Sequence, residues 1–314
     1  TETHRAMCGG VRGPAPIRPH HILLGLETTL HLVGEEAGAC APPNREDVIY
    51  SHGVIMLSTF QACCSGPFSE LANKILCVVA KSPESVLSML QSGVVQSLER
   101  YFQYLFHLAD GHINKGGSKL DSPSRSIVLA RDHTDEFNDN EHMHRYYYKS
   151  YVRKRIPDEI KQLYLNCFNT LERLGCHCAG IYRCWNDMPC KKLKILSVDT
   201  EELDYSVVCR EFGAKLSKDE IVHNLGRKQT IEEVITMMLN TDDVEILEVC
   251  LKVLFAFSCG DCYDVMIELI LSNAGTTFFF LYELLEHPTV MVSSLVLAFL
   301  LQLCTKASGR DGMI

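Results

Sequence analysis

Two stretches near the C-terminal end carry one hydrophobic pattern. Laid over each other, Met238–Cys259 (MLNTDDVEILEVCLKVLFAFSC) and Leu284–Thr305 (LLEHPTVMVSSLVLAFLLQLCT) bring Leu239 over Leu285, Val244 over Val290, Val249 over Leu295, Val253 over Phe299 and Phe257 over Leu303. In each, a helix gives way to a short polar break and then to a long helix that is apolar nearly all round. That pattern predicts an element covered on several sides. Between the copies, YDVMIELILSNAG predicts a helix closed by Gly275, because glycine takes up the left-handed cap conformation at little cost. TTFFFLYELLEH then opens another helix.

The N-terminal third follows the same order. SELANKILCVVAKS (Ser69–Ser82) matches the long helix, with Lys74-Ile75-Leu76 over Lys252-Val253-Leu254 once one position is gapped. PESVLSMLQSG repeats the helix that ends in glycine, and VVQSLERYFQYLFHL supplies the next. HHILLGLETTLHLV and EDVIYSHGVIMLSTFQACC upstream fit earlier members of the same array. The unit of short helix, glycine, helix, polar break and long apolar helix resembles the armadillo/HEAT class of α-solenoid, whose repeats run about 40 to 47 residues. Asp261–Thr305 carries the resemblance best, with its Ala-Gly turn, Leu-Leu helix end, polar step and long third helix. Two features of that family are missing: the Ile-Pro-x-Leu of the second helix, and the third-helix asparagine that many peptide-binding members carry.

Between the two helical thirds, from about Ala109 to Gln229, the periodicity fails. DGHINKGGSKLDSPSRS has the composition of a loop, and an acidic RDHTDEFNDNEH and a basic, aromatic RYYYKSYVRKR follow it. One helix interrupts the region: PDEIKQLYLNCFNTLERLG has Pro157 and two acids at its start, an apolar face of Ile160, Leu163, Tyr164, Cys167, Leu171 and Leu174, and Gly175 as its stop. Capping boxes at Ser217–Glu220 and Thr230–Glu233 mark where regular helices resume. KLKILSV and DYSVVC are β-rich in composition and leave a short two-stranded element open.

The expected fold class is therefore all-α, an armadillo/HEAT-like helical solenoid with a long irregular, Cys-rich insertion. Its divisions are a flexible N-terminal tail over 1–21, helical repeats over 22–108, an acidic/basic loop over 109–156, a helix plus Cys-rich insertion over 157–229, and armadillo-like repeats over 230–314.

Composition narrows the function. With 314 residues, 46% hydrophobic, the chain can build a large core, and a net charge of −9 confines any nucleic-acid contact to a local patch. The fifteen cysteines are an odd number, and several sit inside apolar runs, as in KILCVVA and LEVCLKVLF, which suits a reducing compartment. HHILLGLETTLHLV contains Glu27 and lacks the layout of a signal peptide. Val290–Cys304 is shorter than the roughly twenty residues that a spanning helix needs. An intracellular protein, cytoplasmic or nuclear and without a membrane segment, is the expectation. A first residue other than Met, and a last helix that is strongly hydrophobic, are what a processed product or a piece of a longer chain would show.

Candidate chemistry concentrates in CHCAGIYRCWNDMPC. Cys176, Cys178, Cys184 and Cys190, with His177 as a substitute, have the ligand types for one structural zinc, yet their spacing lacks the paired C-x2-C knuckles of zinc ribbons. Reduced thiols packed around Trp185, and after them a disulfide, are the competing expectations, so the cofactor reading is none or one zinc. CGDC (Cys259, Cys262) matches the redox C-x-x-C spacing but falls between two predicted helices, with no βαβ context. Arg145, Lys149, Arg153, Lys154 and Arg155, interleaved with Tyr151 and its neighbours, combine phosphate-seeking cations with rings that stack on bases. The acidic segment lacks the EF-hand register, and His133, His142 and His144 within it read as solvated. No P-loop, dinucleotide fingerprint, nucleophile elbow, zincin or kinase motif occurs.

These readings converge on a non-enzymatic protein-interaction scaffold. The solenoid resemblance implies an extended surface for a partner peptide or helix, with Glu245, Glu248 and Lys252 on a long helix as the expected contacts. A chromatin- or nucleic-acid-associated protein using the Tyr/Arg run is the alternative, and a metal- or thiol-dependent enzyme the more distant one.

Overall fold

A computed structural model describes residues 19–63, 66–115, 156–179, 217–272 and 274–305. Among these residues there are thirteen α-helices and no strand: α1 (Pro19–Val33), α2 (Ala41–Tyr50), α3 (Gly53–Cys63), α4 (Pro67–Val79), α5 (Ser85–Gln91), α6 (Val94–Lys115), α7 (Asp158–Cys178), α8 (Lys218–Asn224), α9 (Lys228–Asn240), α10 (Val244–Cys259), α11 (Tyr263–Ser272), α12 (Ala274–Leu285) and α13 (Val290–Thr305). A 3-10 turn, Glu35–Cys40, joins α1 to α2. KLKILSV and DYSVVC lie outside the described residues.

The helices sort into rows. In the longest, α1 packs on α4, α4 on α7, α7 on α10 and α10 on α13. In a second, α3 packs on α6, α6 on α9 and α9 on α12, and the shorter α2, α5 and α8 succeed one another beside it. Each unit is thus a first, a second and a third helix: α2–α3–α4, α5–α6–α7, α8–α9–α10 and α11–α12–α13, with α1 heading the third-helix row. This is an all-α, armadillo-like helical-repeat fold.

Local chemistry sets the boundaries. α4 starts behind Gly66, at φ 81°, with Pro67 in the first turn, where a missing N–H costs nothing. α5 stops before Gly93, whose φ of 71° is the left-handed cap expected from its sequence. At α8 the Ser217 hydroxyl accepts from Glu220 N at 3.2 Å, and Glu220 Oε2 accepts from Ser217 N at 2.8 Å, completing the expected capping box. Asp243 caps α10, its Oδ1 accepting from Glu245 N at 3.0 Å and Ile246 N at 3.3 Å. α10 is the most enclosed element. Leu247, Val249, Val253, Leu254, Phe255 and Ala256 are all buried and spread round the helix, leaving open the side that carries Glu245, Glu248 and Lys252.

Several expectations are corrected. Gly175 does not stop its helix: α7 continues to Cys178 and is capped at Ala179. A Cβ on Gly175 would lie 2.9 Å from Phe257 Cδ1, so the glycine is needed for the close approach of α7 to α10. Thr230 is not a cap either. α9 begins earlier, behind Arg227, and the buried Thr230 hydroxyl donates to Glu99 Oε1 at 2.8 Å. α11 ends at Ser272, which puts Gly275 in the first turn of α12. α6 runs on past 108 to Lys115, and α1 already starts at Pro19.

The larger revision concerns the middle of the chain. The helix expected to sit in an insertion is α7, a third helix in the row, buried along Ile160, Leu163, Tyr164, Cys167, Phe168, Leu171 and Leu174. Its rings at Tyr164 and Phe168 stack with Phe102 of α6, with centroids 6.2 and 5.2 Å apart. The long non-periodic region is thus two segments, one on each side of a core helix.

Polar side chains tie the units together. Ser97 of α6 donates to Gln61 of α3, Gln61 Nε2 to Asn73 Oδ1 at 2.9 Å, and Asn73 Nδ2 to the Leu163 carbonyl of α7 at 3.1 Å. Cys167 adds a thiol donor to Asn73 Oδ1 at 3.4 Å. This chain is buried throughout, where an unpaired amide would be costly. Farther along, the Glu99 carboxylate on α6 receives Arg227 Nε at 2.7 Å as well as Thr230, joining the second and third units.

Candidate binding surface along α7 and α10

α7 has one polar stripe. Gln162, Asn166, Asn169 and Arg173 recur at helical spacing and remain half-buried or exposed, while the rest of the circumference is core. Gln162 Nε2 donates to Asn166 Oδ1 at 3.3 Å. Arg173 Nη1 reaches the Cys77 carbonyl and thiol of α4, crossing the row in the other direction.

The neighbouring stripe on α10 is charged. Glu245 is exposed, and Glu248 and Lys252 are half-buried on the same helical face. Lys161 of α7 joins the two stripes, its Nζ lying 2.8 Å from both Asp243 Oδ2 and Glu245 Oε2. Bonds to these two carboxylates hold the ammonium above its ordinary range. Glu245 therefore already has a partner within the molecule, at the seam of α7 and α10. Deeper in the same seam, burial pushes the Glu172 carboxyl up, against the opposing pull of Arg173, Cys176 and Lys252.

The start of the cysteine cluster lies on the last turn of α7. Cys176 is buried, with Sγ 3.5 Å from Glu172 Oε1. His177 turns to α4, its Nε2 lying 3.2 Å from the Ala80 carbonyl. Cys178 is half-buried, near enough to Cys262 to help raise that thiol. Residues two apart on a helix do not share a face, so Cys176 and Cys178 are not brought together. Cys184, Cys190, His133, His142, His144 and the residues Arg145, Lys149, Tyr151, Arg153, Lys154 and Arg155 lie outside the described residues. Among the described residues no three His, Cys, Asp or Glu side chains are grouped as a metal site would need.

Among the described residues, several cysteine thiols are buried. Burial pushes those of Cys167, Cys250 and Cys262 up, which disfavours the thiolate. The C-x-x-C pair ends α10 at Cys259 and precedes α11 at Cys262, a junction between helices.

The α7 stripe was missed from sequence because its helix was placed in an insertion. The available signal was the width of its apolar side, which Phe168 and Leu165 extend past the stripe of Ile160, Leu163, Tyr164, Cys167, Leu171 and Leu174, as expected of a row helix packed on both flanks.

Among the described residues no single helix is long and apolar enough to cross a membrane. The helix order and packing give the described residues an armadillo-like helical-repeat fold. Comparison with protein-family models and with curated protein sequences returned no match. Among solved structures, a designed armadillo repeat protein is similar at 10% identity, over 92% of this chain and 95% of that one, with a TM-score of 0.38.

Proposed function

We propose that the chain is a non-enzymatic scaffold that binds a partner peptide or helix along the α7 and α10 stripes. The observation that carries this reading is the unbroken third-helix row, which sets Gln162, Asn166 and Asn169 beside Glu245, Glu248 and Lys252. Each side-chain amide offers a donor and an acceptor and so matches the alternating N–H and C=O groups of an extended backbone. The flanking charges would select partner side chains. Thiols held protonated, and the absence of a catalytic motif in the sequence, weigh against an enzymatic reading.

Peptide-display selection against the full chain tests this. Selected peptides should bind about tenfold more weakly, or worse, to an Asn169→Ala/Glu248→Lys variant whose thermal midpoint is unchanged. Peptides indifferent to both changes would contradict the assignment. If binding instead falls steeply with salt and is lost with Arg153, Lys154 and Arg155 changed to Glu, the nucleic-acid reading takes its place.

A further inference from the structure

The open stripe is not confined to α7 and α10. Lys74-Ile75-Leu76 of α4 lies over Lys252-Val253-Leu254 in the repeat, which puts Glu70 and Lys74 at the α4 positions of Glu248 and Lys252 on α10. All four side chains are half-buried. Contacts between the helices set α4, α7 and α10 side by side and pointing the same way: Asn73 lies against Leu163 and Cys167, Ala80 against His177, Lys161 against Glu245, and Gly175 against Phe257. The three helices therefore start at one edge of the surface and run toward the other.

Each of them carries an acid nearer the starting edge and a base farther on. The pairs are Glu70 and Lys74 on α4, Asp158 and Arg173 at the two ends of the α7 amide stripe, and Glu248 and Lys252 on α10. Among the described residues no ion pair joins Glu70 to Lys74 or Glu248 to Lys252, so neither pair neutralises itself. The result is a band of side-chain amides with negative charge along one side and positive charge along the other.

An extended chain laid across this band meets both sides. When its backbone N–H and C=O groups turn to the amides, its side chains lie along the surface and project alternately to opposite edges. Helix axes about 8–10 Å apart make the crossing from α4 to α10 about 16–20 Å, the reach of about five or six extended residues. Building on the peptide-binding reading of this surface, we propose that the partner is an extended segment of alternating charge. Its basic side chains lie along Glu70, Asp158 and Glu248, and its acidic ones along Lys74, Arg173 and Lys252. A segment of one sign matches one edge and is repelled by the other, and charges in blocks of two present both signs to each edge.

Two peptides of equal composition and zero net charge, (Lys-Glu)4 and (Lys-Lys-Glu-Glu)2, test alternation apart from charge itself. In fluorescence anisotropy with the full chain at low salt, the alternating peptide should bind about tenfold tighter than the blocked one. That advantage should disappear in 1 M salt, where screening acts within about 3 Å. It should also disappear in Glu248→Lys/Lys252→Glu, which reverses the edges at α10 alone, with circular dichroism and thermal midpoint unchanged. Should that variant not fold, Glu70→Lys/Lys74→Glu makes the same measurement on α4. Equal binding of the two peptides to the wild type, no binding of either, or a preference that survives the reversal overturns the proposal. The peptide-binding reading survives such a result as long as display-selected peptides still weaken with Asn169→Ala; if they do not, the surface assignment fails with it.

Discussion

Phe257 lies so close to Gly175 that one added carbon has nowhere to go: the Cβ would meet Phe257 Cδ1 at 2.9 Å and Ala256 Cβ at 3.1 Å. Gly175→Ala is expected to lose about 1–2 kcal/mol in urea unfolding, the overpacking cost outweighing the helix-propensity gain of about 0.5–1 kcal/mol. A more stable variant would mean that the α7–α10 seam has slack. Two residues on, burial holds the His177 imidazole below its ordinary 6.5, Arg173 adding to the effect and the Ala80 carbonyl and Glu84 opposing it. The unfolded chain therefore takes up this proton first as pH falls. The stability linked to neutral His177 is complete above pH 6.5 and declines as pH drops toward the lower folded value. Unfolding free energies between about pH 7.5 and 5.5 should show that slope, and His177→Gln should flatten it.

At the scale of elements, the join between the second and third units rests on the Glu99 carboxylate, which is almost fully buried and holds Arg227 and Thr230. Glu99→Ala should cost about 2–3 kcal/mol, since it removes charge-assisted bonds and strands the Thr230 hydroxyl. Glu99→Gln should cost less, because the amide oxygen still accepts. Equal costs for the two would show that charge and hydrogen bonding at this join contribute nothing separable.

The helices themselves were largely legible in the sequence. α10 and α13 announce themselves as apolar nearly all round, and the Ser217 box and Gly93 stop carry their own local chemistry. What was not legible has one cause: the partners are distant in sequence. Gly175 reads as a stop until Phe257 is beside it, and Thr230 reads as a cap until Glu99 takes its hydroxyl. Asn73, the asparagine on a third helix in the N-terminal repeats, is likewise spent inside the core on Leu163 and Gln61. Of the proposed surface, the sequence shows Glu245, Glu248 and Lys252 as polar positions on one long helix, while the amide stripe of α7 is hidden as long as its helix reads as part of an insertion.

For the whole molecule, the consequential feature is that α7 belongs to the third-helix row, because the proposed binding surface and the continuity from α1 to α13 both depend on it. Segments 116–155 and 180–216 interrupt the repeat period on its two sides, yet α7 fills the place between α4 and α10 that the repeat requires. Native-state hydrogen exchange tests this most directly. If α7 is a row helix, amides of Leu163–Leu174 will exchange through the same opening as those of Ile246–Phe257 in α10, with matching free energies and matching denaturant dependence. Exchange of α7 through a separate, low-energy opening while α10 stays protected would contradict the account.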